Sequence, residues 1–229
     1  MRSMATTASH QDPPTPDRRA RRRQQTIDEI LVIAGDVMAE EGVNGLSIAE
    51  IARRLGVQPP SIYKYFPSLM AVYDALFVRG QHEHLDVMRS AMAEARPGLD
   101  ALTRGLEASG RWCLEHRAIA QLLFWRPVPS FRPSEAAMAP SAEMVELQRR
   151  AVADAVVAGE LGAEADSLDT VYLVSTLIVG VLSQAIANEP DLEWGQGRFT
   201  PMFPKLMALL VAVYPPDAPK QRARARRPL

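Results

Sequence analysis

The chain has 229 residues, of which 47% are hydrophobic and 23% charged, and its formal net charge at pH 7 is −1. These are ordinary values for a globular protein, and the length allows a substantial core. The single cysteine, Cys113, excludes an intrachain disulfide, which suits a reducing cytoplasm. The arginines of the N-terminus are not followed by an apolar stretch, so we expect no secretory signal.

Positive charge is concentrated at the two ends. Residues 1–25 carry six arginines and two aspartates, and residues 215–229 carry five basic residues and one aspartate. Each end therefore has a net charge of +4, which leaves −9 for the residues between them. Basic ends on an acidic body suit contact with a polyanion, although solubilising tails are an alternative. We predict a flexible basic arm over 1–23 and a basic tail over 215–229.

The first two predicted helices follow the arm. From Thr26 onward, hydrophobic residues recur every three or four positions, which predicts a helix that ends near Gly42. A second helix opens at Ser47, where Glu50 stands three residues on, the spacing of a reciprocal capping box. This helix ends at Gly56, with Arg53 and Arg54 on its solvated face.

The segment GVQPPSIYKYFPS, residues 56–68, combines two prolines with three aromatic residues. Proline suits the first turn of a helix, so we predict a short third helix over 60–66. Its Ile62 and Phe66 lie four residues apart and are expected to face the core. Ser61, Lys64 and Tyr65 fall on the other side, with Tyr63 at the edge. Two short helices joined by a turn and supported by a first helix form a helix-turn-helix unit.

The remainder of the chain also shows helical periodicity and no strand-like alternation, which predicts an all-α fold with about nine helices. Pro67 ends the third helix, and Ser68 is expected to cap a long fourth one. The later helices are predicted near 69–94, 99–116, 117–125, 141–161, 167–188 and 200–214, with a proline-rich loop at 126–134. Residues 170–188 are uncharged, but acidic flanks and polar side chains within the stretch favour a buried helix over a membrane span. These polar residues are Thr170, Ser175, Thr176, Ser183 and Gln184.

The segment LSIAEIARRLGVQPPSIYKYFPS resembles the DNA-binding domain of the TetR family of bacterial transcriptional regulators, and the likeness covers about residues 24–76. HRAIAQLLFWRPVPSFRPS is similar to the ligand-binding half of a TetR subgroup that often carries a Trp-His-Gly element. The chain departs from these patterns at two places. Val179-Gly180 stands where that element is expected, and Leu69 stands where the family often has a phosphate-contacting lysine.

The resemblance implies a cytoplasmic regulator that binds a double-stranded DNA operator. It implies a helix-turn-helix domain over 24–68 and a ligand-binding and dimerisation domain over 69–214. Phosphate contacts are expected from Ser47, Tyr63 and Tyr65. Groove contacts are expected from Gln58, Pro59, Pro60, Ser61 and Lys64, and flanking contacts from Arg21, Arg22 and Arg23. By the family default, the protein is a repressor that a small-molecule effector releases from a pseudo-palindromic operator.

The helices at 167–188 and 200–214 are expected to form a homodimer interface, because a helix that is apolar all round must bury both faces. The expected effector site is lined by Trp112, Cys113, His116, Leu123, Phe124, Trp125, Met144, Tyr172 and Thr176. We expect no metal and no cofactor. His82 and His84 are two residues apart and diverge on a helix.

Two other classes of protein stay open at this point. One is a DNA-binding protein without a small-molecule ligand, either architectural or responsive to another protein. The other is a helical enzyme, because Cys113 and His116 lie three residues apart on one helical face and could form a thiol–imidazole pair. That pair lacks a visible orienting group and oxyanion donor.

Overall fold

The computed structural model of the chain describes residues 18–217, and within this range all regular secondary structure is helical. The order is α1 Arg18–Glu41, α2 Ile48–Leu55, α3 Pro59–Ile62, α4 Leu69–Ala93, α5 Leu99–Glu115, α6 Arg117–Phe124, α7 Ala139–Val157, α8 Leu168–Asn188 and α9 Phe203–Val213. Short 3-10 turns precede α2, α7, α8 and α9. The all-α prediction and its helix-turn-helix followed by a larger helical part are confirmed.

The start of α1 corrects the predicted boundary of the basic arm. The helix begins at Arg18, so the last six residues of the predicted arm 1–23 are helical. Arg21, Arg22 and Arg23 therefore sit on the first turns of a rigid element and are exposed. The rest of the predicted arm, residues 1–17, and the tail from residue 218 lie outside the described residues.

The second helix begins and ends where its sequence signals predict. The Ser47 hydroxyl accepts a hydrogen bond from the Glu50 backbone N–H at 3.2 Å. The reciprocal half of the predicted capping box is wrong, because the Glu50 carboxylate bonds to two arginines instead. At the other end Gly56 has φ 72°, a left-handed conformation that favours glycine, and Val57 N–H bonds to the Ala52 carbonyl at 2.9 Å.

The third helix is shorter than predicted. Regular helix covers Pro59–Ile62, whereas the sequence predicts 60–66. Residues 63–65 continue as a turn that is tied back to the helix, since the N–H groups of Tyr65 and Phe66 both donate to the Ile62 carbonyl. The two prolines occupy the first turn, where a missing N–H costs nothing.

The long helix α4 connects the helix-turn-helix to the rest of the molecule. The Ser68 hydroxyl caps it by accepting from Ala71 N–H at 3.1 Å, as predicted. Near its start, the buried Tyr73 hydroxyl donates to the Val43 carbonyl, in the link between α1 and α2, at 2.6 Å. Further along, Gly80 allows close packing on α6, because a β-carbon there would collide with the Ile119 side chain. The helix α4 is thus bonded directly to the helix-turn-helix.

The C-terminal helices pack around α4. Helices α5, α6 and α7 contact α4, and α8 packs on α5, α7 and α9. Among the described residues, α8 alone is long and apolar enough to cross a membrane by length and composition. One of its faces is buried in the core, with Val171, Val174, Ile178 and Leu182 at its centre. The last turn predicted for α7 is absent, since that helix stops at Val157.

Candidate nucleic-acid interface and buried aromatic cluster

The third helix has an exposed polar side and a buried apolar side, and we call the buried side, formed by Ile62 and Phe66, its base. Ile62 and Phe66 are buried, as predicted, and pack in the core formed by α1 and α2. Tyr63 is 52% exposed, and Lys64 is exposed beside it. Because the base is fixed by burial and by the turn bonds to Ile62, the two outward side chains start from a well-defined backbone position.

The other residues of the predicted groove-facing set surround this pair. Gln58 and Pro60 are exposed, while Pro59 and Ser61 are half-buried. Ser47 is half-buried at the start of α2, where its side-chain oxygen caps the helix. Its hydroxyl proton is still available for donation to another group. These predicted residues lie on α3, in the turn before it and at the start of α2.

Tyr65 and the arginines of α1 meet on the same side. Tyr65 is half-buried and packs against the core, and the Arg23 guanidinium carbon lies 5.4 Å from the centre of its ring. Arg21 and Arg22 precede it on the same helix and are exposed. Arg23 thus places positive charge beside Tyr65, which suits binding to a phosphate backbone.

Arg54 has a structural role that the sequence reasoning missed. Its guanidinium reaches Glu50 Oε1 at 2.7 Å and Glu40 Oε2 at 2.8 Å, so it ties α2 to the end of α1. Arg53 bonds to the same Glu50 carboxylate from an exposed position. Hydrogen bonds from Arg53 and Arg54 lower the pKa of Glu50 to about 2. The expected assignment of both arginines to a solvated face holds for Arg53 but not for Arg54, whose side chain is mostly covered.

Glu50→Gln should therefore change how the stability of the helix-turn-helix depends on pH. The folded-state pKa is depressed from 4.5, so the stabilisation is complete above about pH 4.5 and is lost as the pH falls toward about 2. The variant should melt at a lower temperature than the natural protein at pH 7, and the difference should shrink steadily below pH 4.5. Thermal denaturation followed by circular dichroism measures this difference in melting temperature. Glu94→Gln, which removes the same charge at another place, is the control. A difference that stays constant down to pH 3 would contradict this interpretation.

Seven of the nine predicted effector-site residues lie in or beside one interior region. Trp112, Cys113, Leu123 and Met144 are buried. Phe124 and Trp125 are half-buried at the end of α6, and His116 is exposed between α5 and α6. The rings contact one another: Trp112 stacks on His116 with centres 4.9 Å apart, and Phe124 meets Trp125 edge-on at 5.8 Å. We refer to Trp112, His116, Phe124 and Trp125 as the aromatic cluster.

The other two predicted effector-site residues are placed elsewhere. Tyr172 is 54% exposed, and Thr176, one turn later, is also exposed. Both lie on the face of α8 opposite to its buried stripe and do not pack in the core of the single chain, so their part in an effector site stays a prediction. The sequence pattern did not distinguish the two faces, because both are apolar.

The geometry does not support a nucleophilic thiol. Cys113 is fully buried, and burial raises the pKa of its thiol to about 12. His116 uses its Nδ1 atom in a 3.0 Å contact with the Trp112 carbonyl. A protonated, buried thiol packs like a small apolar residue.

Sequence reasoning missed a polar group at the centre of the aromatic cluster. His84 of α4 lies between Trp112 and Phe124, with ring centres 5.0 and 5.5 Å away, and its Nε2 atom is 2.6 Å from the Ser109 hydroxyl. Gln81 is one turn earlier on the same helix. The atoms Gln81 Oε1 and His84 Nδ1 are buried and have no hydrogen-bond partner among residues 18–217. An unsatisfied buried polar atom costs about 1–3 kcal/mol. The available signal was a glutamine and a histidine at core positions of an amphipathic helix.

Three further features lie on the surface. Exposed apolar side chains run along α8 and α9, namely Leu168, Tyr172, Leu209 and Val213, and we call them the α8–α9 apolar face. A cleft of about 590 Å³ lies between α1, α4 and α6. A smaller cleft of about 330 Å³ between α6 and α8 is lined by Gln121, Trp125, Pro127, Ser183, Ile186 and Ala187.

A helix-turn-helix joined through one long helix to a larger helical part defines a class of DNA-binding regulatory proteins. Residues 30–76 match the family of bacterial regulatory proteins called tetR. This segment of the chain is therefore similar to the DNA-binding part of tetR-family transcriptional regulators. This confirms the resemblance carried by LSIAEIARRLGVQPPSIYKYFPS.

Similar proteins share either the DNA-binding segment or the fold. The uncharacterized HTH-type transcriptional regulator YobS of Bacillus subtilis is 34% identical over 67 residues, which are 29% of this chain and 35% of YobS. The chain thus matches about a third of the length of this curated relative. The fatty acid degradation regulator FadR of Bacillus halodurans superimposes with a TM-score of 0.64 at 18% identity, covering 83% of this chain and 97% of FadR. The regulator RolR in complex with resorcinol superimposes with a TM-score of 0.58 at 18% identity, covering 92% of this chain and 97% of RolR. These two structures show a shared fold.

Proposed function

We propose that this protein is a ligand-responsive transcriptional repressor that binds a pseudo-palindromic operator as a homodimer in the cytoplasm. The observation that carries the proposal is the outward pair Tyr63 and Lys64 on a buried base, with Arg23 of α1 over the ring of the nearby Tyr65. A lysine can contact a guanine edge or a phosphate, and a tyrosine hydroxyl can donate to a phosphate at small entropic cost. The third helix is therefore the candidate recognition helix for the major groove.

The homodimer is supported by the α8–α9 apolar face. Tyr172, Leu209 and Val213 are each more than half exposed in the single chain. Neighbouring apolar side chains on two adjacent helices favour burial against a second copy of the same surface. One helix-turn-helix reads only a few base pairs, so two copies on a two-fold axis are needed to recognise an operator with two half-sites.

The effector response is supported by the aromatic cluster and its position on α4. Apolar walls with a few polar groups are typical of small-molecule sites. The same helix that carries Gln81 and His84 bonds to Val43 through Tyr73, so displacement of α4 changes the position of the helix-turn-helix. FadR is a fatty acid degradation regulator, and RolR was solved with resorcinol. A shared fold with such proteins is compatible with effector control here.

DNA binding to the region upstream of the protein's own reading frame tests the proposal. We expect a footprint with two-fold symmetry, reduced in a concentration-dependent way by the effector. Small molecules can be screened as candidate effectors by the decrease in fluorescence anisotropy that they cause with a labelled operator. A protein that binds DNA with high affinity but is released by no compound that binds it would support instead the alternative of a regulator without a small-molecule ligand.

A further inference from the structure

The α4 residues Gln81 and His84 each have one buried polar atom without a hydrogen-bond partner among the described residues. They are only 4% and 3% exposed, and they stand one turn apart on the face of α4 that meets α5 and α6. Gln81 Oε1 and His84 Nδ1 have no hydrogen-bond partner among the described residues. A methionine and a phenylalanine would fill the same space without this cost, so the polar atoms indicate a partner that is not part of the chain.

The surroundings of this pair exclude a charged partner. His84 is enclosed by Trp112, Phe124 and the Ser109 hydroxyl, none of which is charged. Burial lowers the pKa of His84 to about 4, so its ring is neutral at pH 7. An ionised ligand group would lose its hydration here and gain no counter-charge.

The hydrogen-bonding atoms specify a hydroxyl. Gln81 Oε1 can only accept a hydrogen bond, whereas His84 Nδ1 accepts or donates according to which ring nitrogen carries the proton. A hydroxyl group can donate to Gln81 Oε1 and accept from His84 Nδ1–H, the tautomer in which the Ser109 hydroxyl donates to His84 Nε2. An ether or a hydrocarbon cannot donate to Gln81.

A cleft lies beside the end of α6. Phe124 separates His84 from Trp125, and Trp125 lines the cleft of about 330 Å³ between α6 and α8. Both rings are half-buried, and the next residue, Arg126, has φ 46°, a backbone conformation that is strained for a side chain other than glycine. Rotation of the Phe124 ring would join the cleft to the polar pair. The cleft volume is at the lower end of small-molecule sites, which suits a ligand of one or two rings.

From this geometry we propose that the effector is an uncharged aromatic molecule with at least one hydroxyl group, which Gln81 and His84 bind while Trp112 and Phe124 pack against its ring. The proposal rests on the proposed effector response and specifies its chemical class. Trp112 and Phe124 contact the His84 ring in the free protein, with ring centres 5.0 and 5.5 Å away, so a ligand ring that reaches His84 takes over part of these ring contacts.

Binding of a matched series of probes to the full chain tests this. Isothermal titration calorimetry is carried out with three compounds that share one benzene ring. Hydroquinone carries hydroxyl donors, 1,4-dimethoxybenzene carries no donor, and 4-hydroxybenzoate carries a hydroxyl group and a negative charge. We expect hydroquinone to bind at least about tenfold more tightly than either of the others. Equal or tighter binding of the dimethoxy compound or the carboxylate would overturn the proposal, as would no detectable binding of hydroquinone up to its solubility limit.

Single substitutions test whether Gln81 and His84 cause the preference for hydroquinone. Gln81→Met and His84→Phe, singly, should abolish the preference for hydroquinone while keeping or raising the melting temperature, because each removes an unsatisfied buried atom. Gln148→Met is the matched control, since this buried glutamine of α7 already contacts Ser175. Preference retained in both single variants would overturn the proposal, and if one variant fails to fold the other decides. Release of the operator DNA is measured in a separate experiment. If hydroquinone binds the wild-type protein selectively but leaves the operator complex intact, the binding site is supported and the proposed effector response is contradicted.

Discussion

Replacing both Tyr63 and Lys64 by alanine is expected to weaken operator binding by roughly 100-fold or more. Removing one base-edge or phosphate interaction of this kind costs about 1–3 kcal/mol, and two are removed here. Both side chains are exposed and neither carries the fold, since Ile62 and Phe66 form the buried base. The melting temperature should therefore stay close to that of the natural protein.

Fluorescence anisotropy with a labelled operator at several salt concentrations measures this prediction. The slope of log affinity against log salt should become shallower by about 1 for each ionic interaction with a phosphate that the substitutions remove. Arg104→Ala, on α5, removes one positive charge in the other part of the molecule and serves as the control. Wild-type affinity in the double variant, with the fold intact, would show that the third helix does not face DNA.

Leu209→Glu is expected to produce a monomer that binds the operator about 100-fold more weakly or worse. Leu209 is 55% exposed on the α8–α9 apolar face, so a carboxylate there leaves the single chain folded but would be buried without a partner in a dimer. A monomer occupies one half-site and so makes only half of the phosphate and base interactions. The neighbouring Leu210 is unsuitable for this test, because it is buried in its own chain and its change would unfold the monomer.

Sedimentation velocity distinguishes a monomeric Leu209→Glu protein from a dimeric one. The matched control is Val157→Glu, which introduces the same charge at an apolar residue that is 89% exposed at the end of α7. We expect Val157→Glu to remain dimeric and to bind DNA normally. A Leu209→Glu protein that still sediments as a dimer would refute the interface and leave a different surface to be found.

The helix-turn-helix could be predicted from sequence because its signals are local. Ser47, Gly56 and Ser68 act on backbone groups within a few residues, and the spacing of Ile62 and Phe66 defines the buried side by itself. The start of α1 was missed because arginines in its first turns carry no hydrophobic periodicity.

The candidate effector site was harder to predict because it depends on packing between distant helices. Two apolar faces of α8 look alike in sequence, so Tyr172 was assigned to the interior although it is exposed. His84 and Gln81 were missed for the opposite reason, since a polar residue in a helix is normally expected at the surface. The structural role of Arg54 depends on Glu40, 14 residues away in the chain.

The proposed function requires two copies of the third helix to enter the major groove of one duplex. Hydroxyl-radical footprinting of both operator strands, with stoichiometry from sedimentation of the same complex, examines this requirement. We predict protection at two segments related by a two-fold axis and centred about one or more whole helical turns apart, with an even number of chains bound. A single protected segment with one chain bound, or protection unchanged by Tyr63→Ala and Lys64→Ala together, would contradict it.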